Sequence, residues 1–259
     1  METVLAATHH DPDGRLSAQT LRVLPRLAEQ VQAIVVLLTP QTVAESASIL
    51  RDGGAIVQHG KPEMPIGHAH LGLWRRIALG AAYAAQPEAH RYLFCDLDRV
   101  LHWAEFYPDE LAAALRFASA YDCVVYGRTP RAFASHPRVQ RDTEALANHG
   151  FALVSGLNWD VMTAARGLSA AATRLIVTES DDDTVGSDCS WPLLCRQAGL
   201  RLGYLETEGM EFETLDRYQD EVAALGGAQA WLDRFDADPR QWLVRIELAR
   251  AEVAAALRF

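Results

Sequence analysis

Lysine is almost missing from this sequence: among 24 basic residues Lys61 is the single lysine, so arginine carries nearly all the positive charge. Histidine stops at His149, which excludes a late histidine ligand or base. No stretch approaches the roughly 20 apolar residues that a bilayer-spanning helix needs, so no transmembrane segment is expected. The four cysteines (Cys95, Cys123, Cys189, Cys195) form no CxxC pair. That spacing fits reduced, mostly buried, structural thiols better than a disulfide framework or zinc site. Excess positive charge is lacking too: the formal net charge is -10, which disfavours nucleic acid as a partner. An acidic protein that handles a phosphorylated ligand needs a metal or local arginines. Residues 1–8 carry no basic region ahead of a long apolar run and read as a first strand rather than a signal peptide, so a cytoplasmic protein is expected.

What is present is an ordinary globular composition over 259 residues, 49% apolar and 22% charged, enough for one large core or a domain with a subdomain. Short apolar runs at 3–8, 32–38, 54–58, 91–95 and 122–127 read as strands buried on both faces. Helical spacing separates them at 16–30, 41–51, 69–85 and 108–120. Such alternation predicts an α/β fold with right-handed βαβ units, a mainly parallel doubly wound sheet and helices on both faces. Ligands bind such sheets beyond the carboxyl ends of the strands. Those ends read Thr8-His-His-Asp-Pro-Asp-Gly14, His59-Gly-Lys-Pro-Glu-Met-Pro-Ile-Gly67, Asp96-Leu-Asp-Arg99 and Gly127-Arg-Thr-Pro130.

After residue 130 the alternation fades. Residues 151–159, an acidic loop at 179–183 and a strand-like 202–205 suggest a second lobe. The expected division is therefore 1–130 as the ligand-binding α/β half, 131–217 as a smaller lobe of the same domain, and 218–259 as two or three helices broken at Gly226-Gly227 and Pro239.

The strongest motif is Phe94-Cys-Asp-Leu-Asp98. In an extended strand residues i and i+2 share a face, so Asp96 and Asp98 would converge and demand a cation. Mg²⁺ or Mn²⁺ takes oxygen ligands from one or two carboxylates plus substrate phosphates. Alternatively, one Asp caps a helix starting near Glu105 or Pro108 and the other faces water. A second acidic group, Glu211 and Glu213, would share the face of a strand and bind metal or acceptor hydroxyls; equally, both could pair with Arg217. Trp103, Trp159 and Trp191 are candidates for stacking on a sugar, with core packing the default. His68 and His70 at i, i+2 are poorly spaced for zinc.

Asp-Leu-Asp after an apolar fourth strand, preceded by three βα units, resembles the DxD signature of GT-A nucleotide-sugar glycosyltransferases, particularly family-2-like enzymes. The resemblance covers residues 1–130 well and the rest loosely. It implies a metal-dependent transfer of a sugar from a UDP-, GDP- or ADP-sugar to an unknown hydroxyl acceptor, with Mg²⁺ or Mn²⁺ as cofactor. Carried over, Thr8, His9 or Asp11 would contact the nucleobase, Asp96 the ribose and metal, and Asp98 the metal. The segment Ile66-Gly-His-Ala-His-Leu-Gly-Leu-Trp-Arg-Arg76 stands where the family approaches the donor. This makes Gly67, Lys61, Arg75 and Arg76 candidates for the diphosphate. Gly186-Ser-Asp-Cys-Ser-Trp191 resembles the segment that carries an Asp base in inverting members, which points to Asp188. The same Asp could serve only a helix N-terminus.

Three rivals share parts of the pattern. The motif also resembles the first motif of haloacid-dehalogenase-type phosphatases. That family opens with it on the first strand, usually has Gly where Arg99 stands and needs a downstream lysine, which this chain lacks after Lys61. A sugar-phosphate nucleotidyltransferase would share the sheet, but its Gly-rich loop with Arg and Lys is not visible in residues 8–15. A non-catalytic nucleotide-sugar-binding protein would keep the DxD and lose the base. Oligomeric state is not readable, and a homo-oligomer is compatible with the sequence.

Overall fold

The computed structural model describes residues 3–259. In chain order the first half runs β1 (Thr3–His9), α1 (Ser17–Gln30), β2 (Ala33–Leu38), α2 (Ala44–Asp52), β3 (Ile56–His59), a short 3-10 turn at His68–His70, α3 (Leu71–Ala85), β4 (Arg91–Cys95), α4 (Leu97–Phe106), α5 (Pro108–Ala118) and β5 (Cys123–Arg128). The second half continues with α6 (Pro130–Ala134), α7 (Arg138–Ser155), β6 (Ala165–Ser169), α8 (Ala170–Glu179), α9 (Ser187–Gln197) and β7 (Leu202–Thr207). A 3-10 segment at Glu213–Tyr218 then leads to α10 (Gln219–Leu225), α11 (Ala228–Asp236) and α12 (Pro239–Ala256).

The strands form one seven-stranded sheet in the order β3-β2-β1-β4-β6-β5-β7. Only β6 runs antiparallel to its neighbours, so the sheet is mainly parallel, as expected. Side chains in a strand alternate faces, and the core follows that period. Leu5, Ala7, Val36, Leu38 and Leu93 pack beneath α1 and α4, with Trp103. Val4, Ala6, Val35, Leu37 and Phe94 pack on the opposite face against α3 and α8, with Trp74 and Trp191. Helix α1 buries Thr20, Val23, Leu24 and Leu27, the three-and-four spacing of one apolar stripe. Among the described residues no helix is long and apolar enough to cross a membrane.

Two expectations change. Asp96 and Asp98 do not continue the strand: β4 ends at Cys95, Asp96 is the N-cap of α4 and Asp98 sits in its first turn. Leu97, Val100, Leu101 and Ala104 are buried at helical spacing, and that stripe turns the chain into a helix directly after the strand. Glu211 and Glu213 likewise share no strand, because β7 stops at Thr207 and Glu213 begins a 3-10 turn. The 131–217 lobe inserts β6 between β4 and β5 and adds β7 at the sheet edge, so its strands belong to the same sheet as the first half. The three tryptophans pack against protein: Trp103 against Tyr126, Trp191 against Phe94, and Trp159 stacked on Tyr204. All four cysteines are free and buried.

Three terminal helices form, α10 ending before Gly226 and Gly227, both with positive φ, and α12 opening on Pro239. Helix α12 packs on α7 and α9 and covers the carboxyl-end side of the molecule near the acidic loop. That loop approaches α3 backbone to backbone. Leu73 N–H donates to Asp183 O at 3.1 Å, and a Cβ on Gly72 would lie 2.4 Å from Thr184 O and 2.5 Å from Asp182 O. Gly72→Ala should therefore cost about 1–3 kcal/mol in urea unfolding, whereas Gly80→Ala on the same helix, with 3.5 Å to Val177, should be neutral or stabilising by up to about 1 kcal/mol. Equal effects of the two changes would contradict this packing.

Candidate functional site

Connections leave β1 toward β2 and β3 on one side, and β4 toward β6 and β5 on the other, so the sheet order reverses between β1 and β4. A crevice opens at the carboxyl ends of such a pair. Thr8, at the end of β1, donates its hydroxyl to Asp96 Oδ1 at 2.5 Å, across to the end of β4. Arg75, only 5% exposed, donates to Asp96 Oδ2 at 3.2 Å and to Asp188 Oδ2 at 3.1 Å. The stripe of α3 that buries Trp74, Ala78 and Leu79 also carries Arg75 inward. Asp188, in the first turn of α9, is held from its other side by Arg166 of β6, with 3.5 Å between Nη2 and Oδ1.

Asp98 Oδ1 accepts from Arg99 N–H at 2.9 Å and Oδ2 from Arg217 Nη2 at 2.8 Å. Burial works to raise its carboxyl, but the charges of Arg217 and Arg99 outweigh that and hold it below the usual aspartate range. Arg99 in turn donates to Glu213 Oε1 at 3.0 Å. Glu213 is 5% exposed and its Oε2 has no hydrogen-bond partner among the described residues. Burial, with the charge of Asp98 behind it, pushes the Glu213 carboxyl up against the pull of Arg99.

Asp96, Asp98, Asp188 and Glu213 line one cavity of about 280 Å³. Its far wall comes from α7 (Gln140, Thr143, Glu144) and α12 (Arg245, Leu248, Glu252). Behind that wall Arg128 is buried, its Nη2 2.6 Å from Glu144 and its Nε 2.6 Å from Asp160. Ala164, which lines the same cavity, has φ +52, the left-handed region that side chains seldom adopt and that gathers at functional sites. An open groove of about 560 Å³ lies outside, lined by Asp13, Arg15, Arg217 and Tyr218. Arg217 borders that groove, donates to His10 O at 2.9 Å and reaches Asp98 on the inner side.

For a divalent cation the donor chemistry fits. Three carboxylates, Asp96, Asp98 and Glu213, line one cavity, one of them with an orphaned buried oxygen, and hard cations take oxygen ligands. Among the described residues no three acidic, histidine or cysteine side chains, these included, are grouped closely enough to hold a metal ion by themselves. Mg²⁺ commonly completes its shell with waters and substrate phosphates.

The structure thus gathers Asp96, Asp98, Arg75, Asp188 and Glu213 around one cavity. Glu211 stands apart, bonded to Tyr107 at 2.9 Å, His102 at 3.2 Å and Arg131 at 2.6 Å. Thr8 is spent on Asp96. Asp11 is buried, its carboxylate accepting the backbone N–H groups of Arg15 and Leu16 at 2.9 and 3.0 Å, so it shapes the loop before α1. His9 is buried beside it. Lys61 and Gly67 lie exposed on the loop after β3, and Arg76 pairs with Asp183 at 2.5 Å. Arg217 pairs with Asp98 rather than with the glutamates. Sequence reasoning missed Glu144, Arg128, Arg245 and Glu252. The signal that could have found them is arginine set in apolar surroundings: Arg128 closes an apolar strand, and Arg245 follows Trp242, Leu243 and Val244.

No family model matches the sequence, nor does any curated protein. Solved structures do. One of glucosyl-3-phosphoglycerate synthase from Mycobacterium tuberculosis is 15% identical and matches over 79% of this chain and 69% of that chain, with a TM-score of 0.52. The same enzyme in complex with Mn²⁺, uridine diphosphate and glucosyl-3-phosphoglycerate gives 14% identity, 79% and 69% coverage and a TM-score of 0.53. Its complex with uridine diphosphate gives 14% identity over 95% of this chain and 80% of that one, at 0.51. At such identities the likeness is one of fold: the chain has the GT-A architecture.

The buried histidine beside this crevice makes a pH prediction. Burial, and then Arg217, lower the His9 pKa from 6.5 to about 4. Above pH 6.5 the ring is neutral in both folded and unfolded chains and the full stability is present. As pH falls from 6.5 toward 4 only the unfolded chain takes the proton, so stability is lost, by about 3 kcal/mol for this group. His102, raised chiefly by Asp216 against its burial, acts in the opposite sense. Urea unfolding of His9→Leu at pH 7, 6 and 5 should show a visibly smaller loss than the wild type; parallel curves would contradict the assignment.

Proposed function

We propose that this protein is a glycosyltransferase that moves a sugar from a nucleotide donor to a hydroxyl acceptor. The observation that carries this reading is the contact at the β1–β4 crevice between Arg217, which borders the outer groove, and Asp98, which with Asp96 lines the inner cavity. The GT-A likeness to a synthase solved with uridine diphosphate and Mn²⁺ supports it.

In this reading the nucleoside lies in the outer groove, where Tyr218 offers a ring, already capped by Arg15 at 4.7 Å. The diphosphate lies at the junction, and the sugar enters the inner cavity. Arg217 and Arg75 face the phosphates, since planar guanidinium groups match their oxygens. Asp96, Asp98 and Glu213 would hold Mg²⁺ or Mn²⁺, which when bound would offset charge on the departing diphosphate. Arg75 holds Asp96 in place from the other side. Asp188 is the base in an inverting reaction, deprotonating the acceptor hydroxyl, and its contacts with Arg75 and Arg166 fix its position.

A phosphatase mechanism is disfavoured by the sequence. It would need a lysine downstream of Asp96 to hold the phosphoryl group, and none follows Lys61.

Thermal unfolding with UDP-, GDP- and ADP-glucose, each with and without Mn²⁺, should show a metal-dependent rise of about 5–10 °C at a hundred-fold excess over Kd for one donor. Asp98→Ala should abolish that rise. Stabilisation by inorganic phosphate alone would favour the phosphatase instead. Asp188→Asn should keep the donor-induced rise and lose transfer, and an active variant ends its role as base.

A further inference from the structure

The inner cavity has two unlike sides. One, at the ends of β1 and β4, holds the groups assigned above to the donor phosphates. The other is the wall of α7 and α12, for which that assignment leaves no role. Gln140 Nε2 donates to Glu144 Oε1 at 2.8 Å and Thr143 Oγ1 to Val139 O at 2.8 Å, but two of the wall's buried oxygens are unspent. Glu252 is 4% exposed and Gln140 also 4% exposed. Glu252 Oε2 and Gln140 Oε1 have no hydrogen-bond partner among the described residues. Both residues line the cavity. Buried polar atoms in native proteins are nearly always satisfied, so this pair of orphans marks a surface built to receive something that donates hydrogen bonds.

Charge narrows what that is. Six carboxylates line the cavity (Asp96, Asp98, Glu144, Asp188, Glu213, Glu252) against three guanidinium groups (Arg75, Arg99, Arg245). Each guanidinium is already paired: Arg75 with Asp96 and Asp188, Arg99 with Glu213, and Arg245 with Glu144 at 3.5 Å. On the α7–α12 wall an anionic ligand would have to part Arg245 from Glu144 and then sit beside Glu144 and Glu252, with no cation assigned there to offset them. Burial, and then the charges of Glu144 and Asp188, push the Glu252 carboxyl well up. A carboxylic acid that keeps its proton both donates and accepts, as a hydroxyl does. Arg217, Arg128 and Arg166 stand behind Asp98, Glu144 and Asp188 and are matched to them in the same way, so no guanidinium at the cavity is free to receive an anion.

Size and polarity agree. The cavity of about 280 Å³ is at the small end of the roughly 300–1,000 Å³ of ligand pockets. Met162, Phe212 and Leu248 line it as well, a surface suited to the C–H faces of a sugar ring. Resting on the glycosyltransferase reading, we propose that the α7–α12 wall is the acceptor subsite and that the acceptor is an uncharged sugar or polyol of about one ring. Glu252 and Gln140 receive its hydroxyl groups.

The test is transfer from UDP-, GDP- or ADP-glucose, whichever stabilises the protein, to matched acceptors. Glucose and myo-inositol are compared with glucose 6-phosphate and glucuronate, with products followed by mass spectrometry. Uncharged acceptors should be used with kcat/KM about ten-fold or more above their charged counterparts. Glu252→Ala should raise acceptor KM about ten-fold, the scale of a lost hydrogen-bonded contact, while the donor-induced thermal shift persists. If that variant does not fold, Gln140→Leu takes its place with the same expectation. A donor shift together with preferred use of glucose 6-phosphate or glucuronate overturns this inference alone, as does an unchanged acceptor KM in the folded variant. No shift with any nucleotide sugar overturns the donor reading and this inference with it.

Discussion

One guanidinium group ties the site together. Arg75, buried on α3, holds Asp96 at the end of β4 and Asp188 at the start of α9, joining segments that lie 21 and 113 positions away in the chain. A planar fork with several donors can serve two carboxylates at once, which an ammonium does less well. Removing one partner of a buried pair leaves an uncompensated charge at about 3–5 kcal/mol. The three elements are therefore coupled, and the cavity between them takes its shape from this contact. The pattern repeats outward: Asp98 with Arg217, Arg99 with Glu213, and Arg128 between Glu144 and Asp160.

On the glycosyltransferase reading proposed above, this alternation is how a chain with a net charge of -10 would receive a diphosphate. The arginines are not spread as a basic surface; they are placed singly, each beside one or two carboxylates. A phosphate arriving at the junction competes with Asp98 for Arg217 and with Asp96 for Arg75, and a divalent cation joining it would take up the carboxylates so released. On the far wall Arg245 pairs with Glu144 and the orphaned atoms, Glu252 Oε2 and Gln140 Oε1, are acceptors. On that reading the two sides of one cavity take different partners, phosphate with a cation on one and hydroxyl groups on the other.

Much of the sheet was legible because strands buried on both faces are apolar runs, and those at 3–8, 32–38, 91–95 and 122–127 each coincide with an observed strand. Where polar residues are buried, the pattern misled. Strand β6 reads Ala-Arg-Gly-Leu-Ser and carries a guanidinium 1% exposed, satisfied by the carbonyls of Val161, Ala165 and Asp188. Nothing in the local sequence announces those partners. The Asp-Leu-Asp motif misled in the opposite way: its helical stripe at Leu97, Val100, Leu101 and Ala104 was present but overshadowed by the preceding strand. Asp96, Asp98 and Asp188 were found because carboxylates at strand and helix ends are visible locally. Glu144, Arg245 and Glu252 were not, because they reach the cavity only when α7 and α12 fold back over it.

Release of free nucleoside diphosphate from a nucleotide sugar tests the account most directly, since it reads the chemistry of the β1–β4 crevice itself. With UDP-, GDP- and ADP-glucose the wild-type protein should release diphosphate from one donor, and a folded Asp96→Asn variant should do so about a hundred-fold more slowly. No release from any of the three, or undiminished release by the variant, would contradict the placement of nucleotide-sugar chemistry at this crevice.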